Sequence, residues 1–411
     1  MKNLISKFNL KIKVFFYFFV IYPLNIFFIF PIFFILKNFF FKTKDIKFVL
    51  FDGHKIGHMA LCTEPFIKKL YEKRINKNHN FLFIIFFIKP IANHYYYQLI
   101  TNNLKKKNII IFKNYLIWLN LCKIYKFITK KNILIKNIAR RIFHKINNDN
   151  NMIITIPDND NLIGEKIIKK LGIIKHNKWI CITNRDGAYL KKTFKKIDSK
   201  YHNYRDFDII TMKKAIEYFI SKDYYVVRIG SLMSEKMNFK HEMFIDYPFS
   251  KFQSDFLDIY LSAKCCFYFG SGAGISNVPR LFRRPMFMIN QAPFEGVFLH
   301  KNKLQTFKKL RDKKTNKILS ISEILNRKLF DIGTSNEFEK NNIENISNNE
   351  DEILNLAKEA LFLHENDYKI LDQISDHKHK NMQAILQNHH SFKNLYWRNK
   401  IGKDFISNLN I

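Results

Sequence analysis

Short, continuous apolar runs recur along the chain, separated by stretches in which apolar residues return every three or four positions. The runs fall at 46–51, 81–87, 108–112, 152–156, 179–183, 224–229, 243–245, 265–269 and 285–289. They do not alternate with polar residues, which is the pattern of strands covered on both faces of a parallel sheet. Between them lie helical patterns. In TMKKAIEYFISK, Met212, Ala215, Ile216, Phe219 and Ile220 share one face. The alternation predicts an α/β fold. NNDNN at 147–151 breaks the pattern and a polar stretch covers 158–178, so two β/α units are expected to meet there. The predicted division is 1–44, 45–165, 166–345 and a helical region 346–411, the last entered through an irregular segment and a helix over about 350–363.

Residues 14–36 carry no charge. As a helix they would measure about 35 Å, enough to cross a bilayer. Pro23, Pro31 and Asn25 interrupt the stretch, so a shallow hairpin or interfacial anchor competes with a clean span. Either reading makes the membrane a partner. The run is too long for a secretory signal and lacks a small-residue cleavage site. Lysines flank it on both sides, so charge does not orient it.

The chain has 411 residues, 69 Lys+Arg against 35 Asp+Glu, and a net charge of +34. That charge invites a nucleic-acid partner, but 47% of residues are hydrophobic and 43 are Phe, which excludes a disordered basic tail. No RRM, OB, KH or helix-turn-helix signature is present. The excess of Lys, Ile, Asn and Phe is chain-wide, as AAA, ATT, AAT and TTT codons would produce, so much of the charge reads as background. KKLRDKKTNK at 308–317 reads as a solvated loop. Five cysteines (Cys62, Cys122, Cys181, Cys265, Cys266) show neither disulfide nor zinc spacing. His377, His379, His389 and His390 read as a solvated helix face, and no metal or other cofactor is expected.

Only 12 residues are Gly, and three of them fall in FGSGAGIS (269–276). A strand, a Gly-rich turn and a helix start would offer Ser271, Gly272, Ala273 and Gly274 to a phosphate; the alternative is a tight turn at a sheet edge. FDGHKIGHMALCTE (51–64) sets His54, His58 and Glu64 after the first strand, where His58, or with less support Glu64, could act as a general base; the alternative is a capping histidine. CITNRDGAYL places Arg185 and Asp186 at another strand end, and YYVVRIG adds Arg228 and Gly230. Two arginines and a Gly-rich loop at one sheet edge make a candidate diphosphate clamp, with Asp186 orienting Arg185. Asp255 and Asp258 read as helix residues, Asp255 suited to a first turn.

KIGHMALCTE, TNRDGAYL, YHNYRDFDI, YFISKDYYVVRIG, SDFLDIYLSAKCCFYFGSGAGISNVPRLFRRPMFMINQAP, LSISEIL and IENISNNEDEI, in this order, resemble a family of bacterial glycosyltransferases of GT-B-like architecture whose donor is unassigned. The resemblance spans about residues 46–360. The segment from SDFLD to the Gly/Ser loop also looks like the donor half of fucosyltransferases, in which an Arg near the first strand grips the nucleotide diphosphate, and this would be Arg185. Thr183 stands where a His is frequent there and Gly187 follows Asp186, so fucose is not implied. The resemblance implies two Rossmann-like domains facing a cleft, an acceptor on the first and a nucleotide-sugar on the second. Arg185, Arg228 and the backbone of Ser271 to Gly274 would stabilise the leaving nucleoside diphosphate, which, with no DxD-type carboxylate pair near a strand end, suits metal-independent transfer to a glycan or lipid-linked acceptor. Donors of this kind are cytosolic, so the catalytic part is expected at the cytoplasmic side of the inner membrane. The rivals are a sugar-nucleotide epimerase of the same fold and a basic nucleic-acid- or lipid-binding protein without chemistry.

Overall fold

In the computed structural model, the structure describes residues 45–75, 81–105, 109–129, 134–135, 152–174, 178–193, 200–293, 304–330, 332–368, 377–387 and 401–409, together with 23 and 31. The chain forms two compact units that divide between Ile142 and Phe143. Apart from 23 and 31, the apolar stretch 14–36 lies outside the described residues. Among those residues no helix is long and apolar enough to cross a membrane.

The N-terminal unit holds a parallel sheet of β1 (Asp45–Phe51), β2 (Phe81–Phe87), β3 (Ile109–Phe112) and β4 (Leu134–Ile135), in the order β3-β2-β1-β4. Successive side chains of a strand point to opposite faces. Ile46 and Phe48 therefore pack with Trp118, Leu121 and Tyr125 of helix Tyr115–Thr129, while Phe51 meets Phe66 of helix Ile56–Ile75 on the other side. Both faces are covered, which is why the strands read as unbroken apolar runs. The Trp118 indole N–H, which could not be buried unpaired, donates to the Ile84 carbonyl at 3.0 Å.

The C-terminal unit is built on six parallel strands: β5 (Trp179–Thr183), β6 (Tyr225–Arg228), β7 (Phe244–Asp246), β8 (Tyr268–Gly270), β9 (Met286–Gln291) and β10 (Leu304–Phe307), ordered β10-β9-β8-β5-β6-β7. One face packs on Ala215, Ile216 and Phe219 of helix Lys213–Ile220 and on Ile353, Leu356 and Ala360 of helix Glu350–Glu365. Each such large apolar side chain contributes about 1.5–3 kcal/mol by leaving water. The helix Glu350–Glu365 starts at a capping box of Asn349 and Glu352. The other face takes helix Asp255–Lys264, whose Leu261 carbonyl accepts from the Trp179 indole at 3.0 Å. An antiparallel pair, β11 (Lys309–Asp312) and β12 (Ile343–Ile346), shares a second core with Met382, Ile401 and Phe405.

Several expectations change. No strand forms at 152–156, because Pro157 ends the run in extended backbone and a helix begins at once, Asp158–Lys170. That helix, expected as part of a polar stretch, packs on helix Asp255–Lys264: a Cβ on Gly164 would lie 2.2 Å from the Tyr260 ring. The boundary expected at 165/166 thus moves back to 142/143, and NNDNN lies outside the described residues. Residues 346–411 are not a separate region, since Ile353 to Leu363 build the main core. The presumed solvated loop at 308–317 contains β11 and a buried Lys308. His379 is buried and accepts from the Ile401 amide at 3.0 Å; His389 and His390 lie outside the described residues.

Thr183 of β5 is the register partner of Gly270 in β8. A Cβ on Gly270 would sit 2.4 Å from the Thr183 carbonyl oxygen and 2.8 Å from its nitrogen, both backbone atoms. Gly270→Ala is expected to destabilise the C-terminal unit by about 3 kcal/mol or more. Urea unfolding followed through Trp179 checks this, and an unchanged midpoint would contradict it.

Candidate functional site

The strand order of the C-terminal unit reverses between β5 and β8: β6 and β7 follow β5 on one side, β9 and β10 follow β8 on the other. Open α/β sheets bind ligands beyond the carboxyl ends of strands at such a switch point. Two segments emerge there side by side, Asn184–Arg185–Asp186 after β5 and Ser271 to Gly274 after β8.

Arg185 is 11% exposed, and its Nε lies 3.4 Å from Asp206 Oδ1 with no hydrogen-bond acceptor among the described residues. Arg205 donates from Nη2 to the Gly272 carbonyl at 2.5 Å. Lys308, reached from β10, donates to the Asp206 carbonyl at 2.6 Å. Three cations thus gather about the Asp206 carboxylate, and even with Asp186 added they outnumber the carboxylates three to two.

The titration shifts follow mainly from burial, with the neighbouring charges acting on top of it. Burial, then repulsion from Arg205, pushes Arg185 down to about 10. Burial pushes Lys308 down to about 8, with Arg185 and Arg205 adding to the shift and Asp206 opposing it. Burial raises Asp206 against the pull of Arg185. A bound anion would relieve the repulsion among the cations.

The Gly-rich loop carries the complementary donors. Ser271 is buried with its Oγ unpartnered among the described residues. Its amide and carbonyl are held by the Thr183 carbonyl and the Tyr268 hydroxyl. Ser276 closes the turn by donating to the Ala273 carbonyl at 2.6 Å. The helix that follows, Asn277–Leu281, has five residues, so its dipole adds little.

Arg228 does not join the cluster. It is 1% exposed; Nε and Nη2 donate to Asn184 Oδ1 at 3.2 and 3.0 Å, and Nη1 donates to the Glu235 carbonyl at 2.9 Å and reaches Asp246 at 3.2 Å. All three nitrogens are engaged inside the protein, so Arg228 is not available for the expected clamp, and the cations grouped with Arg185 are Arg205 and Lys308. Arg228 braces Asn184, the residue before Arg185. Asp186 accepts from the Ser234 amide and hydroxyl, both at 2.8 Å, and caps the Ala188 amide. It joins the loops after β5 and β6, and the carboxylate facing Arg185 at ion-pair distance is that of Asp206. Gly230, at φ +151°, occupies the left-handed region as that second loop leaves β6.

In the N-terminal unit the order reverses between β1 and β4, and the chain leaving β1 carries Asp52, Gly53 and His54. Asp52 Oδ2 lies 2.9 Å from Nδ1 of His58, whose side chain is 54% exposed. The hydrogen bond to His58 is the main cause that lowers the Asp52 pKa. A carboxylate on Nδ1 favours the tautomer protonated there, which makes Nε2 the basic nitrogen. Gly53 permits the tight exit from β1, since a Cβ would meet the Ile88 carbonyl oxygen at 2.5 Å. Burial lowers the His54 pKa. Glu64, six positions beyond His58 on the same helix, is rotated by about 240° from it. Among the described residues no group of three or more His, Cys, Asp or Glu could hold a metal ion.

Asp52, Arg205 and Lys308 were not singled out from the sequence. Asp52 adjoins the flagged Gly53, Arg205 lies in YHNYRDFDI, and Lys308 is one of several cations in KKLRDKKTNK with no local mark of burial.

No family model matches the chain, and no curated protein matches it. Among solved structures it is similar to a glycosyl transferase family 9 protein from Veillonella parvula DSM 2008, at 12% identity and a TM-score of 0.36, over 59% of this chain and 79% of that one. It is also similar to the E. coli ADP-heptose lps heptosyltransferase II, at 10% identity and a TM-score of 0.34, over 59% and 84%. A third is the iron-containing dodecameric glycosyltransferase TibC from enterotoxigenic E. coli H10407, at 13% identity and a TM-score of 0.31, over 61% and 62%.

In the free protein Lys308 loses its proton as pH rises through about 8, and a bound anion restores it. The affinity for sulfate, whose own charge is fixed in this range, measured by calorimetry should therefore hold steady up to about pH 7.5 and then fall by up to tenfold per pH unit. Lys308→Arg, which keeps its charge, should flatten the profile; an affinity independent of pH from about 7 to about 9.5 in the parent protein would contradict the assignment.

Proposed function

We propose that this protein is a glycosyltransferase that moves a sugar from a nucleotide-sugar donor to a hydroxyl acceptor. The observation that carries this reading is the excess of cations, a buried Lys308 with the half-buried Arg185 and Arg205, around Asp206 at the switch point of the C-terminal sheet. Lone surface cations would be solvated. Here three are held in low dielectric beside an unpartnered Ser271 hydroxyl, an arrangement suited to a compact, multiply charged group such as a diphosphate.

In the transfer, the bond between the anomeric carbon and the diphosphate oxygen breaks, and its electron pair leaves on the nucleoside diphosphate. The negative charge that develops there is stabilised by Arg185, Arg205 and Lys308 without reorganisation of water. The neutralisation is supplied by side chains, so the reading is of metal-independent transfer. His58, oriented by Asp52, takes the acceptor hydroxyl proton at Nε2 as the new C–O bond forms. Asp52–His58 is favoured over Glu64 because the histidine has a partner that fixes its tautomer. The donor is thus assigned to the C-terminal unit and the acceptor base to the N-terminal unit, with a glycan or lipid-linked acceptor at the cytoplasmic side of the inner membrane.

Arg185→Ala should weaken nucleoside-diphosphate binding by about 2–5 kcal/mol. His58→Ala and Asp52→Asn should leave that binding intact and lower turnover by about 100-fold or more. Calorimetry with UDP, GDP and ADP, paired with transfer assays over a panel of nucleotide-sugars, separates the two effects. Full nucleotide affinity in Arg185→Ala would remove the donor assignment.

A further inference from the structure

Helix Asp158–Lys170 has a feature that sugar transfer does not use. Its rotation is fixed by Gly164, which lies against the Tyr260 ring, and by the buried Ile168. At about 100° per residue, Leu162, Ile163, Lys166, Lys169 and Lys170 all fall within an arc of about 120° centred opposite the midpoint between Gly164 and Ile168. All five are exposed, Leu162 at 59% and Ile163 at 50%. The acidic residues Asp158, Asp160 and Glu165 lie outside this arc. The helix ends at Gly172, in the left-handed region at φ +104°, and Ile174 follows at 73% exposure. Ile173, between them, is buried, so the turn separates one aliphatic residue for the core from one for the surface.

Single exposed aliphatic residues are ordinary on a solvated face, but adjacent large aliphatics interleaved with lysines on one arc are the pattern of an interfacial helix. This arc has both, interleaved, on a helix that is otherwise firmly seated. We propose that this face is a membrane contact, with Leu162 and Ile163 entering the headgroup boundary of an anionic bilayer while Lys166, Lys169 and Lys170 pair with its lipid phosphates. Charge complementarity selects the occupant: an apolar protein partner would leave three ammonium groups to desolvate, whereas an anionic lipid surface attracts each of them and accepts the aliphatic side chains between them. The inference stands on this helix alone and depends neither on residues 14–36 nor on the sugar-transfer reading.

The test uses the full chain carrying Leu162→Trp, with the parent protein, which has Trp118, Trp179 and Trp397, as the baseline. Vesicles of brominated phosphatidylglycerol should quench the added tryptophan, and brominated phosphatidylcholine should not. Adding Lys166→Gln, Lys169→Gln and Lys170→Gln should abolish the added quenching, because about three lipid-facing charges correspond to roughly a 100-fold loss of surface affinity. All of these positions are solvent-exposed, and circular dichroism checks that the helix persists. Absence of added quenching, equal quenching by the two lipids, or quenching that survives the lysine changes would overturn the proposal. Self-association seen by sedimentation, lost with Leu162→Trp and without added quenching, would assign the face to a second copy and overturn it as well.

Discussion

The burial of Lys308 beside Arg185 and Arg205, with Asp206 among them, is the constraint on which the candidate site depends. Burying an unbalanced charge is costly, and a protein commonly avoids it by pairing or by neutralisation. Here Asp206 stands among three cations, and the depression of Lys308 to about 8 shows how far the site leans towards losing a proton. Such a site is held together by what surrounds it. Arg205 is tied to the Gly272 carbonyl and Lys308 to the Asp206 carbonyl, so these two are held on backbone acceptors, and Arg185 faces the Asp206 carboxylate at 3.4 Å. An anionic ligand would supply the charge that the protein withholds.

The scaffold beneath the site explains why the cations stay in place. Arg228, Asn184 and Asp246 form a buried network at the ends of β5, β6 and β7, and Asn184 also donates to the Phe207 carbonyl at 3.2 Å, next to Asp206. One network thus reaches both chain segments that carry the cluster. Asp186 joins the loops after β5 and β6 through Ser234. The close approach of Gly270 to Thr183 brings the Gly-rich loop alongside the segment bearing Arg185. Arg228 looked like a ligand group because it ends a strand, but its strand pairs with β7, whose Asp246 lies opposite it in register. Pairing in space decided its role, and pairing in space is not written in the spacing of residues.

Much of the architecture was legible because strands covered on both faces leave a plain mark: 81–87 and 179–183 coincide with β2 and β5. The strand β10 escaped notice because its LQTF sequence buries Gln305 and Thr306, and Thr306 is satisfied by Asn348 Oδ1 at 2.7 Å. A polar residue with a partner 42 positions away cannot be told from a loop residue by pattern. The same reason hid Lys308 among its basic neighbours and Asp52 beside His58. Arg185, the loop at 271–274 and His58 were readable because each follows a recognisable strand, the one local signal that coincides with a ligand-binding position in a parallel sheet.

A nucleoside diphosphate that completes the cluster of Arg185, Arg205 and Lys308 would stabilise the folded protein. The most direct measurement is the melting temperature of the full-length protein titrated with UDP, GDP and ADP. A ligand that binds only the folded state raises it, by an amount equivalent to about 2.7 kcal/mol at a hundredfold excess over the dissociation constant. A rise of several degrees is expected with at least one nucleotide, absent in Arg205→Met and Lys308→Met proteins that remain folded. No rise with any of them at millimolar concentration, or the same rise in those variants, would contradict it.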